Sequence, residues 1–347
     1  MNNSILEKDI KEFCTPFLSK KNKLFNNQIC VTGATGLIGS ILVKCLLALN
    51  ENITIVVPVR NKKKACGILG KDVNRLNIIE CDVIHFDYAQ IGKVDYIIHC
   101  AAPTASKFFV EHPVETFDTI IQGTQSVLEY ARKHPVKGIV YLSSLEVYGE
   151  VLNDSKAISE DYQGYLNPLD IRSSYPMAKR AAENLCCLYC KEYQVPVKIA
   201  RLTQTTGPGI AYDDNRIIAQ FARLTAEGKD IILHTKGESA RPYCYTLDAV
   251  SAILKILLNG ESGEAYNVAN EATYISAYDM ALFLQKNFNP SINVRIERKD
   301  NMGYAPITKL RLSTKKLEAL GWKPKYGLKE IFTNLIAYLK ESPQDVH

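Results

Sequence analysis

Residues 32–39 read Thr-Gly-Ala-Thr-Gly-Leu-Ile-Gly, directly behind a short apolar run at 28–32 and at the head of an apolar stretch from Leu37 to Leu49. No other feature restricts the fold as much, because each glycine answers a separate steric demand. Gly33 allows a tight strand-to-helix turn, Gly36 lets the backbone approach a pyrophosphate, and Gly39 lets the helix pack closely on the strand. A helix that starts here aims unpaired N–H groups and the positive end of its dipole at a phosphate. With Thr35, Leu37 and Ile38, these glycines form the expected floor of a dinucleotide site.

From Gln28 onward, β-branched runs near 28–32, 53–59, 77–82, 94–100, 138–143 and 197–202 alternate with helical patterns. That rhythm predicts an α/β fold, a Rossmann-type doubly wound parallel sheet over residues 28–202. Residues 203–347 lose the rhythm and are expected to form mainly a smaller α/β lobe for substrate, with a last amphipathic helix through Leu328, Ile331, Leu335 and Leu339. Residues 1–27 read as a helical extension. Ser4 and Glu7 have the spacing of a capping box, Leu6, Ile10, Phe13 and Phe17 recur at helical intervals, and Pro16 is expected to end the helix.

Composition removes several classes. The longest apolar stretch is interrupted by Lys44, and charged residues from Glu7 to Glu12 occupy the place of a signal-peptide core, so no membrane association and a cytoplasmic location are expected. The net charge of +5 comes from dispersed lysines, which gives no support for nucleic-acid binding. Ten scattered cysteines read as reduced, buried thiols, and Cys187 and Cys190 lie within a helical run without a second pair. The six histidines show no metal-type spacing, and no metal is expected.

At the end of the second strand, an NAD-preferring site carries an acid for the ribose 2′-OH. This chain has Arg60, Asn61 and Lys62 there. A guanidinium clamps a 2′-phosphate that a carboxylate would repel, so NADP(H) is favoured, with NAD as the alternative and a surface role for Arg60 as the bland reading. Asp82 and Val83 are placed to meet the adenine, and Ala101 and Ala102 to line the cofactor path.

The strand from Gly138 runs into Ser143-Ser144-Leu145-Glu146-Val147-Tyr148-Gly149, which sets hydroxyls at a strand's C-terminal end, where ligands bind in such sheets. Tyr175-Pro-Met-Ala-Lys179 opens a helix and places Tyr175 and Lys179 one turn apart on one face. An ammonium beside the phenol, together with an oxidised nicotinamide, is expected to lower the tyrosine's pKa toward neutrality. Ser144 would polarise the substrate oxygen.

Taken together, TGATGLIG, DYIIHCA, LSSLEVYG and YPMAK resemble the extended short-chain dehydrogenase/reductase family, in its nucleotide-sugar epimerase/dehydratase/decarboxylase branch, over roughly residues 28–335. The resemblance implies that Ser144 is the catalytic hydroxyl, Tyr175 the acid/base and Lys179 its partner. It also implies a nucleotide-diphosphate sugar as substrate, held by Thr104, Ser144, Gln204, Arg216 and Arg241, the two arginines meeting the nucleotide and its diphosphate unless they are surface salt-bridge partners. A homodimer through helices near 114–133 and 175–193 is a further implication.

Among reactions, 4,6-dehydration is disfavoured because the Asp of the dehydratases' Asp-Glu pair is Leu145 here. Glu146 fits a UDP-glucuronate decarboxylase, whose ribose site has an acid rather than Arg60, and a 4-epimerase needs only Ser, Tyr and Lys. The wider pattern also resembles sugar-nucleotide enzymes of bacterial capsule polysaccharide loci, some of which reduce a CDP-ketose to a CDP-polyol. NADPH-dependent reduction of a nucleotide-linked keto-sugar is therefore the leading expectation. A silent NADP-binding sensor or scaffold is the alternative from another class, and the presence of Ser144, Tyr175 and Lys179 argues against it.

Overall fold

Short β-branched segments buried on both faces form strands when helices cover both sides of the sheet. Gln28–Thr32 (β1), Thr54–Val59 (β2), Leu76–Glu80 (β3), Tyr96–His99 (β4), Gly138–Ser144 (β5) and Val197–Leu202 (β6) are such segments, and every residue of β4 and β6 is buried. A computed structural model of the chain describes residues 4–15, 23–49, 52–70, 74–86, 88–151, 154–298 and 307–341. Pro16 and Phe17, assigned from the sequence to the end of the first helix, lie outside them.

After β6 the chain adds Gln204–Thr206 (β7), Ile231–Leu233 (β8), Ala240–Tyr245 (β9), Ala265–Val268 (β10), Asn270–Ser276 (β11) and Val294–Ile296 (β12). The main sheet has seven strands in the order β10-β6-β5-β4-β1-β2-β3, all parallel. The strand order reverses between β1 and β4, and at such a switch point the connections leave to opposite sides and open a crevice at the strands' C-terminal ends. The expected doubly wound sheet is thus present. β10 comes from the C-terminal part of the chain, so that part supplies an edge of the main sheet as well as a three-stranded sheet (β11-β9-β7) and a two-stranded one (β12-β8).

The first helices are Ser4–Cys14 (α1), Leu37–Leu49 (α2), Lys62–Leu69 (α3), Tyr88–Ile91 (α4), Ser106–Glu111 (α5), Pro113–Lys133 (α6) and Ser174–Tyr193 (α7). Behind β6 come Ile217–Glu227 (α8), Thr246–Asn259 (α9), Ala277–Asn287 (α10), Lys315–Ala319 (α11) and Leu328–Glu341 (α12). α12 buries Ile331, Leu335 and Leu339 as its periodicity requires. Ser4 does not cap α1 from outside as the capping-box reading expects. It is already helical, and its hydroxyl donates to Glu341 of α12 at 3.0 Å.

Among the described residues no helix is long and apolar enough to cross a membrane, and no group of three or more His, Cys, Asp or Glu is arranged to hold a metal. All ten cysteines are unbridged. Cys187 lies on α7 with its thiol donating to the Gly263 carbonyl at 3.5 Å, and burial pushes that thiol up.

Candidate active site

The β1–α2 loop turns at Gly33, which has φ +65, a left-handed conformation that L side chains resist. A Cβ on Gly33 would stand 2.7 Å from the Ala101 amide, and one on Gly39 would stand 2.3 Å from the Gly33 carbonyl oxygen. Gly36 differs: a Cβ there meets only the Gly33 oxygen, at 3.4 Å, an ordinary contact. Packing within the chain therefore explains two of the three glycines, and the third faces open space above the N-terminus of α2.

The ends of β1 and β4 are tied together behind this loop. The Thr32 hydroxyl lies 2.7 Å from His99 Nδ1 and accepts the Ala101 amide at 3.2 Å, while His99 Nε2 lies 3.3 Å from the Thr124 hydroxyl, which donates to the Ile120 carbonyl. Burial, reinforced by the charge of Lys179, holds His99 down at about 3, so the ring is neutral and fixes the backbone at Ala101.

One cavity of about 2250 Å³ runs along the C-terminal ends of the strands. Typical ligand pockets are about 300–1,000 Å³, so this space accommodates two extended ligands side by side. Thr35, Gly36, Leu37, Ile38 and Gly39 line it, as do Arg60, Asp82, Val83, Ala101, Ala102 and Thr104. Ser144, Glu146, Tyr175, Lys179, Gln204, Arg216 and Arg241 line the remainder, so nearly all the residues singled out in the sequence converge on one space.

Two do not. Asn61 caps α3 by accepting the Lys64 amide at 2.8 Å, and the Lys62 amide donates to Glu80 at 2.9 Å; neither residue lines the cavity. The basic group that reaches it beside Arg60 is Lys64, one helical step further on. Asp82 lines the wall, but its carboxylate accepts the Ile84 amide at 3.1 Å as a local cap.

At the other end, Tyr175 and Lys179 are 8% and 3% exposed. The Tyr175 ring stacks on Phe109 with centroids 4.2 Å apart and planes 8° from parallel. Ser144, whose oxygen accepts the Glu146 amide at 3.2 Å, hydrogen bonds the Tyr175 phenol. Burial pushes the Tyr175 phenol well above its ordinary value, the Glu146 carboxylate pushes it further, and the Ser144 hydrogen bond and Arg172 only partly oppose them. The Lys179 ammonium lies 5.8 Å from the Tyr175 ring centroid and 4.7 Å from that of Tyr141, and it donates to the Leu142 carbonyl at 2.7 Å. Burial lowers Lys179 to about 8, against the pull of Glu183.

Glu146 lies with one carboxylate oxygen 3.8 Å from Arg172, and burial raises its pKa while Arg172 and Arg241 lower it. Arg241, on β9, makes no hydrogen bond or ion pair among the described residues and is available to an anion in the cavity. Arg216 is not: its Nε and Nη2 form a forked pair with Asp214 at 3.0 Å, and its Nη1 donates to the Thr205 carbonyl at 2.9 Å. The salt-bridge alternative weighed for the arginines thus describes Arg216, whose meeting with a diphosphate requires exchange of partners. Gln204 Oε1 and Ser143 Oγ are buried in the lining without a hydrogen-bond partner.

Sequence reading missed Phe109, Arg172 and the Thr32–His99–Thr124 relay. Only the last had a local signal, since His99 and Cys100-Ala101 stand at a strand end that the motif DYIIHCA already marks.

The pattern that defines the NAD dependent epimerase/dehydratase family matches residues 29–269. UDP-glucuronic acid decarboxylase 5 of Arabidopsis thaliana is 30% identical over 322 residues, covering 91% of this chain and 90% of its own. UDP-glucuronic acid decarboxylase 1 of Xenopus tropicalis is 27% identical over 94% of this chain and 74% of its own. Among solved structures, UDP-glucuronic acid 4-epimerase from Bacillus cereus, in complex with UDP-glucuronic acid and NAD, superposes with a TM-score of 0.77 at 23% identity, covering 90% of this chain and 99% of that one. The dTDP-glucose 4,6-dehydratase DesIV of Streptomyces venezuelae, with NAD bound, gives a TM-score of 0.75 at 23% identity over 90% of this chain and 97% of its own. At such identities the two structures bear on the fold alone.

Proposed function

Since this chain belongs to the NAD dependent epimerase/dehydratase family, we propose that it is an NADPH-dependent reductase of a keto-sugar linked to a nucleotide diphosphate. The observation that carries the cofactor choice is the pair Arg60 and Lys64. Both line the cavity at the end of β2, and neither has an ion-pair partner among the described residues. Two cations where an NAD site places an acid support recognition of a 2′-phosphate. The open space above Gly36 and the first-turn amides of α2 suit a pyrophosphate.

When bound, the nicotinamide supplies hydride. Tyr175 donates the proton to the new hydroxyl, and its burial favours the protonated phenol that such a step requires. Ser144 holds the reacting oxygen, and Lys179, anchored on Leu142, lies beside the ribose position. Gln204 and Arg241 hold the nucleotide-diphosphate end, with Thr104 on the facing wall and Arg216 joining if Asp214 releases it. The division into a cofactor half at 28–202 and a substrate half at 203–347 follows these roles. Val114, Phe117 and Leu188 leave apolar surface on α6 and α7, which supports a homodimer through those helices. Unbridged cysteines accord with a cytoplasmic enzyme, and capsule polysaccharide synthesis is the route such a product would enter.

Titrating purified protein with NADPH and NADH, then supplying NADPH with a panel of nucleotide-linked ketoses, tests the reading; substrate-dependent NADPH oxidation is expected. A second reading, UDP-glucuronate decarboxylation, is favoured by Glu146 between Arg172 and Arg241 and by the decarboxylases among the relatives. Formation of UDP-xylose from UDP-glucuronate without net NADPH use would establish it in place of the reductase.

A further inference from the structure

Tyr175 does not stand alone against solvent on its outer side. Phe109, from the short helix α5, lies flat on its ring, and the Arg172 guanidinium carbon is 5.3 Å from the Phe109 ring centroid. Arg172 belongs to a 3-10 turn, Ile171–Ser173, that runs directly into α7. Its amide is held by Asp170 at 2.9 Å, and Ser174 donates to the Phe109 carbonyl at 3.2 Å, so turn, helix start and α5 are clipped together. Nη1 of the same guanidinium lies 3.8 Å from Glu146 and is buried without a hydrogen-bond partner. Arg172 does not line the cavity, whereas Phe109, Glu146 and Tyr175 do.

We infer that Arg172 is a positioning residue, a half-buried cation that acts through the Phe109 ring and the Glu146 carboxylate to set the orientation and the protonation of Tyr175. A guanidinium on an aromatic face holds that face by cation–π attraction, and the parallel stack of Phe109 on Tyr175 passes the constraint to the phenol. Its charge opposes the Glu146 anion, which otherwise adds to the load on the phenol. The other charged groups around the pair are Arg241 of β9, which faces Glu146, Lys179 of α7, which is anchored on Leu142, and Lys107 of α5, which pairs with Glu111. None of these touches the outer side of the Phe109–Tyr175 stack as Arg172 does.

The inference rests on Tyr175 as the acid/base group, and the experiment separates the two. The substrate is the keto-sugar that the panel identifies, or UDP-glucuronate if decarboxylation is found, and the readout is kcat and KM across pH for the full chain. Removing the charge in Arg172→Met is expected to lower kcat about tenfold and to move the limbs of the pH profile upward by about half to one unit. KM and the NADPH dissociation constant are expected to stay within about twofold, since Arg172 borders neither ligand. Arg172→Lys keeps the charge and loses the flat face, so its limbs are expected to coincide with the parent's while kcat falls severalfold. If Arg172→Met does not fold, Arg172→Gln carries the test, with the limbs again expected to move upward. A profile for Arg172→Met, or failing that for Arg172→Gln, whose limbs coincide with the parent's overturns the inference, whatever the fall in kcat. Full turnover by Tyr175→Phe would instead overturn the acid/base reading beneath it.

Discussion

Two alanine substitutions three residues apart, where the loop runs into α2, are expected to separate packing from ligand binding. At Gly39 the new Cβ would stand 2.3 Å from the Gly33 oxygen and 2.9 Å from its carbonyl carbon, both backbone atoms that no rotamer relieves. Forcing a methyl into such a contact costs about 1–3 kcal/mol, against which alanine in the first turn of α2 returns at most about 1 kcal/mol of helix propensity. Gly39→Ala is therefore expected to lose about 1–2 kcal/mol, or about 1.5–3 °C in Tm for a chain of this size, and to bind cofactor weakly because the loop has moved. At Gly36 the Cβ meets one atom at 3.4 Å, so Gly36→Ala is expected to melt within about 1 °C of the parent. Its methyl occupies the space offered to a pyrophosphate, where losing one charge-assisted hydrogen bond is worth about 1.5–3 kcal/mol, or about 10–150-fold in the NADPH dissociation constant. Differential scanning fluorimetry and quenching of protein fluorescence by NADPH measure the two quantities on the same samples. A Gly36→Ala protein that binds NADPH as the parent does would refute the assignment of that open space to the cofactor.

Arg60→Asp is expected to weaken NADPH binding about tenfold, the low end for a charge-assisted contact because Arg60 is exposed, and to strengthen NADH; unchanged preference in paired titrations would remove Arg60 from the site. Glu183 and Arg201 form a buried forked ion pair at 2.7 Å, so Glu183→Gln leaves a buried cation without its counter-charge and is expected to cost about 3–5 kcal/mol by urea denaturation, where a loss under 1 kcal/mol would contradict the role of Glu183 as that counter-charge. Asp9, 4% exposed and accepting the Tyr245 hydroxyl, is raised by burial from 3.8 to about 6. Its favourable contribution is complete below about pH 4 and lost as pH rises through 6, an amount of about 3 kcal/mol. The Tm of Asp9→Asn minus that of the parent is accordingly expected to grow from pH 4 to 7, and a flat difference would show that Asp9 titrates normally.

What the sequence could disclose was set by how locally each property is determined. The glycine loop was legible because φ at Gly33 and the contact of Gly39 with Gly33 involve residues six apart, and the strands because burial on both faces leaves continuous apolar runs. The identities of Ser144, Tyr175 and Lys179 were legible for the same reason, as positions on one strand end and one helical face. Their charge states were not, since these depend on partners the chain brings from afar: Phe109 lies 66 residues from Tyr175, and Leu142 lies 37 residues from Lys179. Spacing reports that an ammonium lies near the phenol, but not that the ammonium also donates to a carbonyl or that burial pushes the phenol up. Arg216 shows the complementary case. Its partner Asp214 is only two residues away, so the pairing was within reach of a local reading. Proximity in sequence fixes which groups meet, and burial then decides which of them carries the proton.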